Sequence, residues 1–427
     1  MKGAHSHGEK RPSGHNSWGA RFRSRHFWLG ATLVVVIFLL SYYLEDIKAQ
    51  FPWLIGVQLW SHGLLRPEPT PKYVVGVEID NDTFFGAMHR SGPEDITDRK
   101  YLAQIVRNAA DAGASVIALD INLVKQETNG EASEGDNEAL QQAIEYAGRQ
   151  KQIPVVLTFR FAGGEPLRPL QNAIATPICL RPQNSEASRA GFDNAPEDRR
   201  KIPLVVDAVT PDGRGELACR SFALQIAEAF ESRTSTEPII TKVLGRQMDD
   251  REFVYSTFTR QSHFTHFSAR EVHDKSPAEL KELDGRIVLV GGNRSGWPTE
   301  SSNPPVSEHI DYYNSPKGRM AGMYFHANYV EDLLGRHYLR QVPRLPGALF
   351  DAALAIVIIL SIEHFEGWTR LVVVSILLAI PVVMAFVLAS LGWCFDWVIP
   401  VFLSLLHPSL EKYLDIGSDP LRRFAHE

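Results

Sequence analysis

The sequence predicts an α/β fold: a mostly parallel sheet flanked by helices as an extracytoplasmic domain, with one N-terminal and about three C-terminal transmembrane helices. Three observations predict it. The longest uncharged runs lie at the two ends of the chain, the region between them reads as an ordinary soluble domain, and within that region short β-branched runs alternate with segments of helical periodicity. At 427 residues and 44% hydrophobic, the chain is long enough to bury one or two cores. A net charge of -6, with no basic stripe through the middle, carries none of the electrostatic footprint of a nucleic-acid binder.

The leader, residues 1–26, sets Lys2, Lys10, Arg11, Arg21, Arg23 and Arg25 against the single acid Glu9. Its histidines are scattered among Gly and Ser, which reads as a disordered cytoplasmic tail. Residues 28–44, "WLGATLVVVIFLLSYYL", form an uncharged stretch of 17 residues, the short end for a spanning helix. The flank is basic before and acidic after, which keeps the N-terminus in the cytoplasm. A signal peptide is the competing reading, but no small-x-small cleavage site follows the apolar core, so a retained anchor is favoured.

Residues 45–340 form the domain. An amphipathic helix over 48–66 ends at "PTPK". "YVVGVEID" then opens a strand buried on both faces. The segment Asp98–Ala114 is helical, with Leu102, Ile105, Val106, Ala109 and Ala110 on one face, and "SVIALDI" is the second strand. This strand–helix–strand order implies a parallel, right-handed crossover. The pattern continues with a helix over Asn137–Gln150, a strand over Ile153–Phe159, a helix over Arg220–Ser232 and a strand over Gly285–Gly292. A closing helix runs over Tyr324–Leu339. Between them, "AGFDNAPEDRRKIPLVVD" reads as an extended segment, a turn and a return strand. Residues 296–320 read as a long loop, of the kind that is functional or disordered.

The C-terminal block, 345–414, predicts spans at 345–362, 371–389 and 397–414. From Leu371 to Leu406 the one charge is Asp396, and a continuous helix of that length would measure roughly 54 Å, far beyond a ~30 Å hydrocarbon core. "SLGWCFDW" supplies the break. Four crossings place both termini, including the tail 415–427, in the cytoplasm. Asp351 in the first of these spans is either a functional carboxylate or an interfacial one.

Parallel sheets place ligands beyond the carboxyl ends of their strands. Asp80 and Asp82 follow the first strand, Asp120 and Asn122 the second, and Asn293 and Arg294 the glycine-rich one, while His326 and Asn328 start the closing helix. Together they make a candidate ligand-binding rim, with carboxylates for a cation or amine and backbone N–H groups for an anion. The same carboxylates at strand ends also serve as helix caps and turn pins. No nucleophile or metal set can be assembled: "GGNRSG" lacks the Lys-Ser/Thr of a phosphate loop, and the acidic "QETNGEASEGDNE" lacks calcium-loop spacing. No catalytic residue, metal site or cofactor is expected.

The ordered set "VVGVEIDNDT", "GASVIALDI", "AGFDNAPEDRRKIPLVV", "LDGRIVLVGG" and "DYYNSPKGRMAGMYFHANYVEDLL" resembles the type-2 CHASE domain, an extracytoplasmic sensor module of bacterial membrane receptors. The match runs over roughly residues 45–340, and the three C-terminal spans look like the membrane block that follows it in the family. The resemblance implies a multi-pass inner-membrane protein whose 45–340 domain lies in the periplasm and binds an extracytoplasmic ligand. Family members hand the signal to a cytoplasmic catalytic output. Here thirteen residues follow Leu414, so the expectation is a separate membrane or cytoplasmic effector protein. The alternative is a tethered extracytoplasmic enzyme or binding protein, or a structural subunit of a membrane complex. Lipid is the expected solvent of the spans, and a homo-oligomer is compatible with a receptor although nothing in the sequence measures it.

The cysteines are Cys179, Cys219 and Cys394. Outside the cytoplasm Cys179 and Cys219 either form one bridge or are two unrelated small buried residues. Thiol titration separates the two: a bridge releases two further thiols on reduction, and unrelated cysteines titrate equally with and without reductant.

Overall fold

The computed structural model describes residues 25–43, 68–88, 97–121, 123, 134–159, 161–162, 168–169, 188–192, 201–209, 216–233, 253–293, 312–315, 317–342, 344–365 and 367–394. The expected amphipathic helix at 48–66, Asn122, Cys179, Arg294 and the span at 397–414 lie outside these residues. In chain order the main elements begin with α1 (Arg25–Tyr43), β1 (Val74–Ile79), α2 (Arg99–Asp111), β2 (Val116–Asp120), α3 (Glu134–Glu145) and β3 (Val155–Phe159). They continue with β4 (Ser188–Phe192), α4 (Phe222–Glu231), β5 (His266–Ser268), α5 (Ala269–Asp274), β6 (Ile287–Gly292), α6 (Gly322–Gly335), α7 (Arg344–His364) and α8 (Gly367–Ser390).

The six strands form one sheet in the order β5-β1-β6-β2-β3-β4, parallel throughout. Such a sheet must be covered on both faces, and the alternation along each strand shows how. Val75, Val77, Ile117, Leu119, Val155, Leu157, Val288 and Val290 pack with α2, α3 and α5. Val74, Val116, Ala118, Val156, Ile287 and Leu289 pack with α4 and α6. The helices start where side chains satisfy their first N–H groups. Asp98 accepts from Lys100 and Tyr101 N at 2.9 and 3.0 Å to cap α2, and Ser221 accepts from Leu224 N to cap α4. Ser268 and Glu271 form a capping box on α5.

Several elements depart from the sequence expectation. The expected return strand does not pair with β4. Lys201–Pro203 pairs antiparallel with Phe253–Tyr255, and Val205–Val209 forms a hairpin with Glu216–Arg220. The buried Ile202 and Leu204 belong to the core that α4 and α6 cover, which draws this segment there. The end of the expected 296–320 loop is a hairpin of Tyr312–Ser315 with Gly318–Ala321, turning where Gly318 takes φ +108°. The closing helix starts earlier and stops at Gly335, because Arg336 adopts a left-handed conformation (φ 57°) and ends it. The Asn137–Gln150 helix becomes a π-helical turn over its last residues, Tyr146–Gln150.

Two glycines bring α6 onto the sheet. A Cβ at Gly76 would stand 2.9 Å from Tyr324 Oη and 3.3 Å from Met323 Cε. A Cβ at Gly291 would stand 2.8 Å from Met323 Cβ and 3.3 Å from Asp120 Cβ. The first turn of α6 therefore lies against strand backbone that carries no side chain.

A separate helical unit holds α1, α7 and most of α8. Leu33 and Ile37 of α1 pack with Ala355 and Ile359 of α7, and Leu354 and Ile358 of α7 pack with Val374, Leu377 and Leu378 of α8. Asp351 is buried on α7. By length and composition, one helix among the described residues can cross a bilayer: α8, with 24 residues and a mean hydropathy of 3.1. The apolar parts of the other two, Ala31–Leu40 and Leu345–Ser361, are shorter.

The close approach of α6 has a direct test. Gly291→Ala should destabilise the domain by about 1–3 kcal/mol, the usual cost of overpacking. A melt of the detergent-solubilised protein checks it, with Gly292→Ala, whose added Cβ meets nothing within 4 Å, as the neutral control.

Candidate functional site

The register aligns one row across the carboxyl ends of the strands. Ser268 of β5 pairs with Glu78 of β1, Glu78 with Gly291 of β6, and Gly291 with Asp120 of β2. Glu78 and Asp120 are thus two strand spacings apart, roughly 10 Å, on the face that α6 covers, with a glycine between them. The α6 helix meets both. The Tyr324 ring is fully buried and its hydroxyl donates to Glu78 Oε1. Two residues further on, His326 Nε2 stands 3.9 Å from Asp120 Oδ1, with 15% and 9% of the two side chains exposed. Phe222 sets the edge of the His326 ring, its centroid 5.1 Å away and its plane at 88°.

This rim is also where the chain parts to opposite sides of the sheet. The segments after β1, β2 and β5 lead to helices on one face, while β6, lying between β1 and β2, is followed by α6 on the other. Ligands of open parallel sheets bind in the crevice at such a point. The first turn of α6 has no side-chain cap, so its N–H groups and the positive end of its dipole lie at this rim.

Of the residues singled out in the sequence, the structure brings Asp120 and His326 together. Asp80 follows β1 directly, and its Oδ1 accepts from Thr83 N at 2.7 Å, so it pins the turn. Asp82 is exposed in the π-helical turn Asp82–Ala87. Asn293 follows β6 and gives its N–H to Ile79 O at 3.1 Å. Asn328 turns the other way: Oδ1 accepts from Thr259 N at 2.5 Å and Nδ2 donates to Tyr324 O at 2.7 Å, so the side chain is a buried strut. Asn122 and Arg294 lie outside the described residues, as does Cys179, one of the two cysteines of the candidate bridge, whose other member, Cys219, is buried. Among the described residues no group of three or more His, Cys, Asp or Glu could hold a metal ion.

A family model of the CHASE2 domain matches residues 31–362, most of the chain. The chain belongs to the CHASE2 domain family. CHASE2 is a sensory domain, the extracytoplasmic part of membrane receptors, and not a catalytic one. No curated protein and no solved structure matches the chain.

Sequence reasoning missed four residues of this CHASE2 domain that hold α6 in place. Glu78 and Tyr324 are described above. Glu331 accepts from three successive backbone N–H groups, Lys72 at 3.0 Å, Tyr73 at 2.6 Å and Val74 at 2.7 Å, and so fixes the start of β1. Burial raises its pKa above the ordinary glutamate value, opposed by those N–H groups. Asp332 is fully enclosed and accepts from Ser256 Oγ at 2.5 Å, Thr257 N at 2.9 Å and Thr257 Oγ1 at 3.0 Å. Burial pushes it up to about 6, from an ordinary 3.8. The signal was present in "NYVEDLL", two adjacent acids in a helix whose remaining residues are mostly apolar.

A raised carboxyl pKa has a definite sign in folding. Between 3.8 and about 6 the folded protein holds a proton that the unfolded chain has released, so this group costs stability as pH rises through that window. Asp332→Asn removes the titration and keeps partners for Ser256 and Thr257. The melting temperature of the variant should match wild type near pH 4 and exceed it increasingly up to pH 7.

Proposed function

We propose that this CHASE2 protein is a membrane-anchored sensor that binds a small ligand outside the cytoplasm at the Glu78–Gly291–Asp120 rim. Ligand binding shifts α6, and the shift passes through the transmembrane helices to a separate effector protein in the membrane or cytoplasm. The observation that carries the reading is the shared row: two carboxylates at one level of the sheet, each met by a side chain of the same helix. A ligand with a cationic or amine group can compete for those carboxylates, and an anionic group on it can use the uncapped N–H groups of α6. Displacing Tyr324 or His326 from its carboxylate gives α6 a differential interaction with the bound and free states, which a transmitted signal requires.

Residues 336–343 join α6 to α7, so a helix movement has a short path to the membrane block. The proposed topology has four crossings, near 28–44, 345–362, 371–389 and 397–414. Both termini are in the cytoplasm of a bacterial cell, with the 45–340 domain in the periplasm. Basic residues before α1 and the apolar α8 support it.

Two measurements test this. In spheroplasts, added protease should cut within residues 73–338; protection there removes the sensor reading. In a thermal-shift panel of divalent cations and diamines of graded length, at least one probe should stabilise the purified wild type. The same probe should lose most of its effect with Glu78→Gln or Asp120→Asn. Equal stabilisation of both variants would place the ligand elsewhere.

A further inference from the structure

The helices α2 and α3 follow β1 and β2 within a parallel sheet, so both begin at its carboxyl end, on the face opposite α6. Their first turns meet there: Lys100 Nζ of α2 binds Asp136 Oδ1 of α3 at 2.8 Å. The positive ends of both helix dipoles lie at this corner. The first residue of α2, Arg99, is 3% exposed, yet its Nε has no hydrogen-bond partner. The side-chain oxygen of Asn137, the residue after Asp136, is likewise buried and without a partner.

A buried cation is normally paired, since its lost hydration has to be replaced. The acids of this corner are engaged elsewhere. Asp98 Oδ1 accepts from Lys100 N and Tyr101 N to cap α2, and Asp136 Oδ1 is held by the Lys100 ammonium. Asp136 acts on Arg99 through its charge alone, and burial outweighs it, lowering the guanidinium pKa from its ordinary value. A buried water can serve a neutral polar group, but it does not offset a positive charge.

We propose that Arg99 and Asn137 form a binding site for a small carboxylate that carries a hydroxyl or ammonium group on the adjacent carbon, as α-hydroxy and α-amino acids do. The planar guanidinium matches the two oxygens of a carboxylate, and the ligand replaces the acceptor that Arg99 lacks. The adjacent donor serves the Asn137 oxygen, which a bare oxyanion would repel. An unsubstituted carboxylate satisfies one half of the site, and sulfate, with no donor, does the same. The helix dipoles add to the attraction for the anionic end. None of these residues belongs to the Glu78–Gly291–Asp120 rim, so the site goes beyond the sensor reading and does not rest on it.

Thermal shifts on the full chain in detergent test the site with glycolate, glycine, acetate and sulfate, each against chloride at equal ionic strength. Glycolate or glycine should raise the melting temperature, and acetate and sulfate should raise it less. Arg99→Met should abolish the rise without lowering the ligand-free melting temperature, because it removes an unpaired buried charge and keeps an apolar side chain in its place. Asn137→Asp supplies the carboxylate from within the chain, so it should raise the ligand-free melting temperature and also abolish the rise. Glu78→Gln should leave the rise intact. The proposal is overturned if neither glycolate nor glycine stabilises the protein, or if sulfate does so equally. It is also overturned by a rise that survives Arg99→Met or Asn137→Asp, or that disappears in Glu78→Gln. An Arg99→Met protein that melts lower without ligand overturns it as well, since Arg99 would then be a structural group.

Discussion

The approach of α6 to bare strand backbone is the constraint on which the remaining structure depends. Helix and sheet normally keep side chains between them. Here Gly76 and Gly291 remove those side chains at neighbouring positions, and the first turn of α6 settles against the strands. That closeness lets Tyr324 lie across β1 and reach Glu78, and places His326 beside Asp120. The same helix then runs back along the sheet, and its polar residues fall in turn on the 256–259 loop and the start of β1. A side chain at either glycine would displace rim and base together.

The polar groups along α6 do not all serve the same end. Asn328 and Glu331 have their polar atoms turned inward and satisfied by backbone partners, as buried polar groups must be. Asp332 is also satisfied, yet its enclosure makes the charged form expensive, which pushes its pKa up to about 6. The rim carboxylates differ again, being only partly enclosed and facing a helix end without a cap. One helix thus combines rigid struts with groups whose state can change.

Much of the fold was legible in the amino-acid pattern. "YVVGVEID" and "SVIALDI" have the density of β-branched residues that a strand buried on both faces needs, and the periodicity of Asp98–Ala114 marked α2 correctly to within a few residues. Non-local pairing was not legible. Nothing in "KIPLVV" says that it joins Phe253–Tyr255 instead of β4, because that choice is made by a core assembled from distant segments. At the site, Asp120 and His326 stood out because one ends a strand and the other opens a helix. Glu78 did not, since a single acid inside a strand reads as a surface position until the register sets it beside Gly291. Asn328 was singled out for its place next to the helix start, but helical geometry turns it from the rim.

The pairing of Arg340–Gln341 with Trp393–Cys394 is parallel, although only α7 and α8 lie between the two strands in the chain. Parallel neighbours cannot be joined by a tight turn and need a long crossover. Here the crossover is the helix pair itself, which makes α7 and α8 a closed handle with both feet in one small strand pair. The chain that leaves through α7 thus returns after α8 to the strand it started from, and the two hydrogen-bonded residue pairs close that loop of chain.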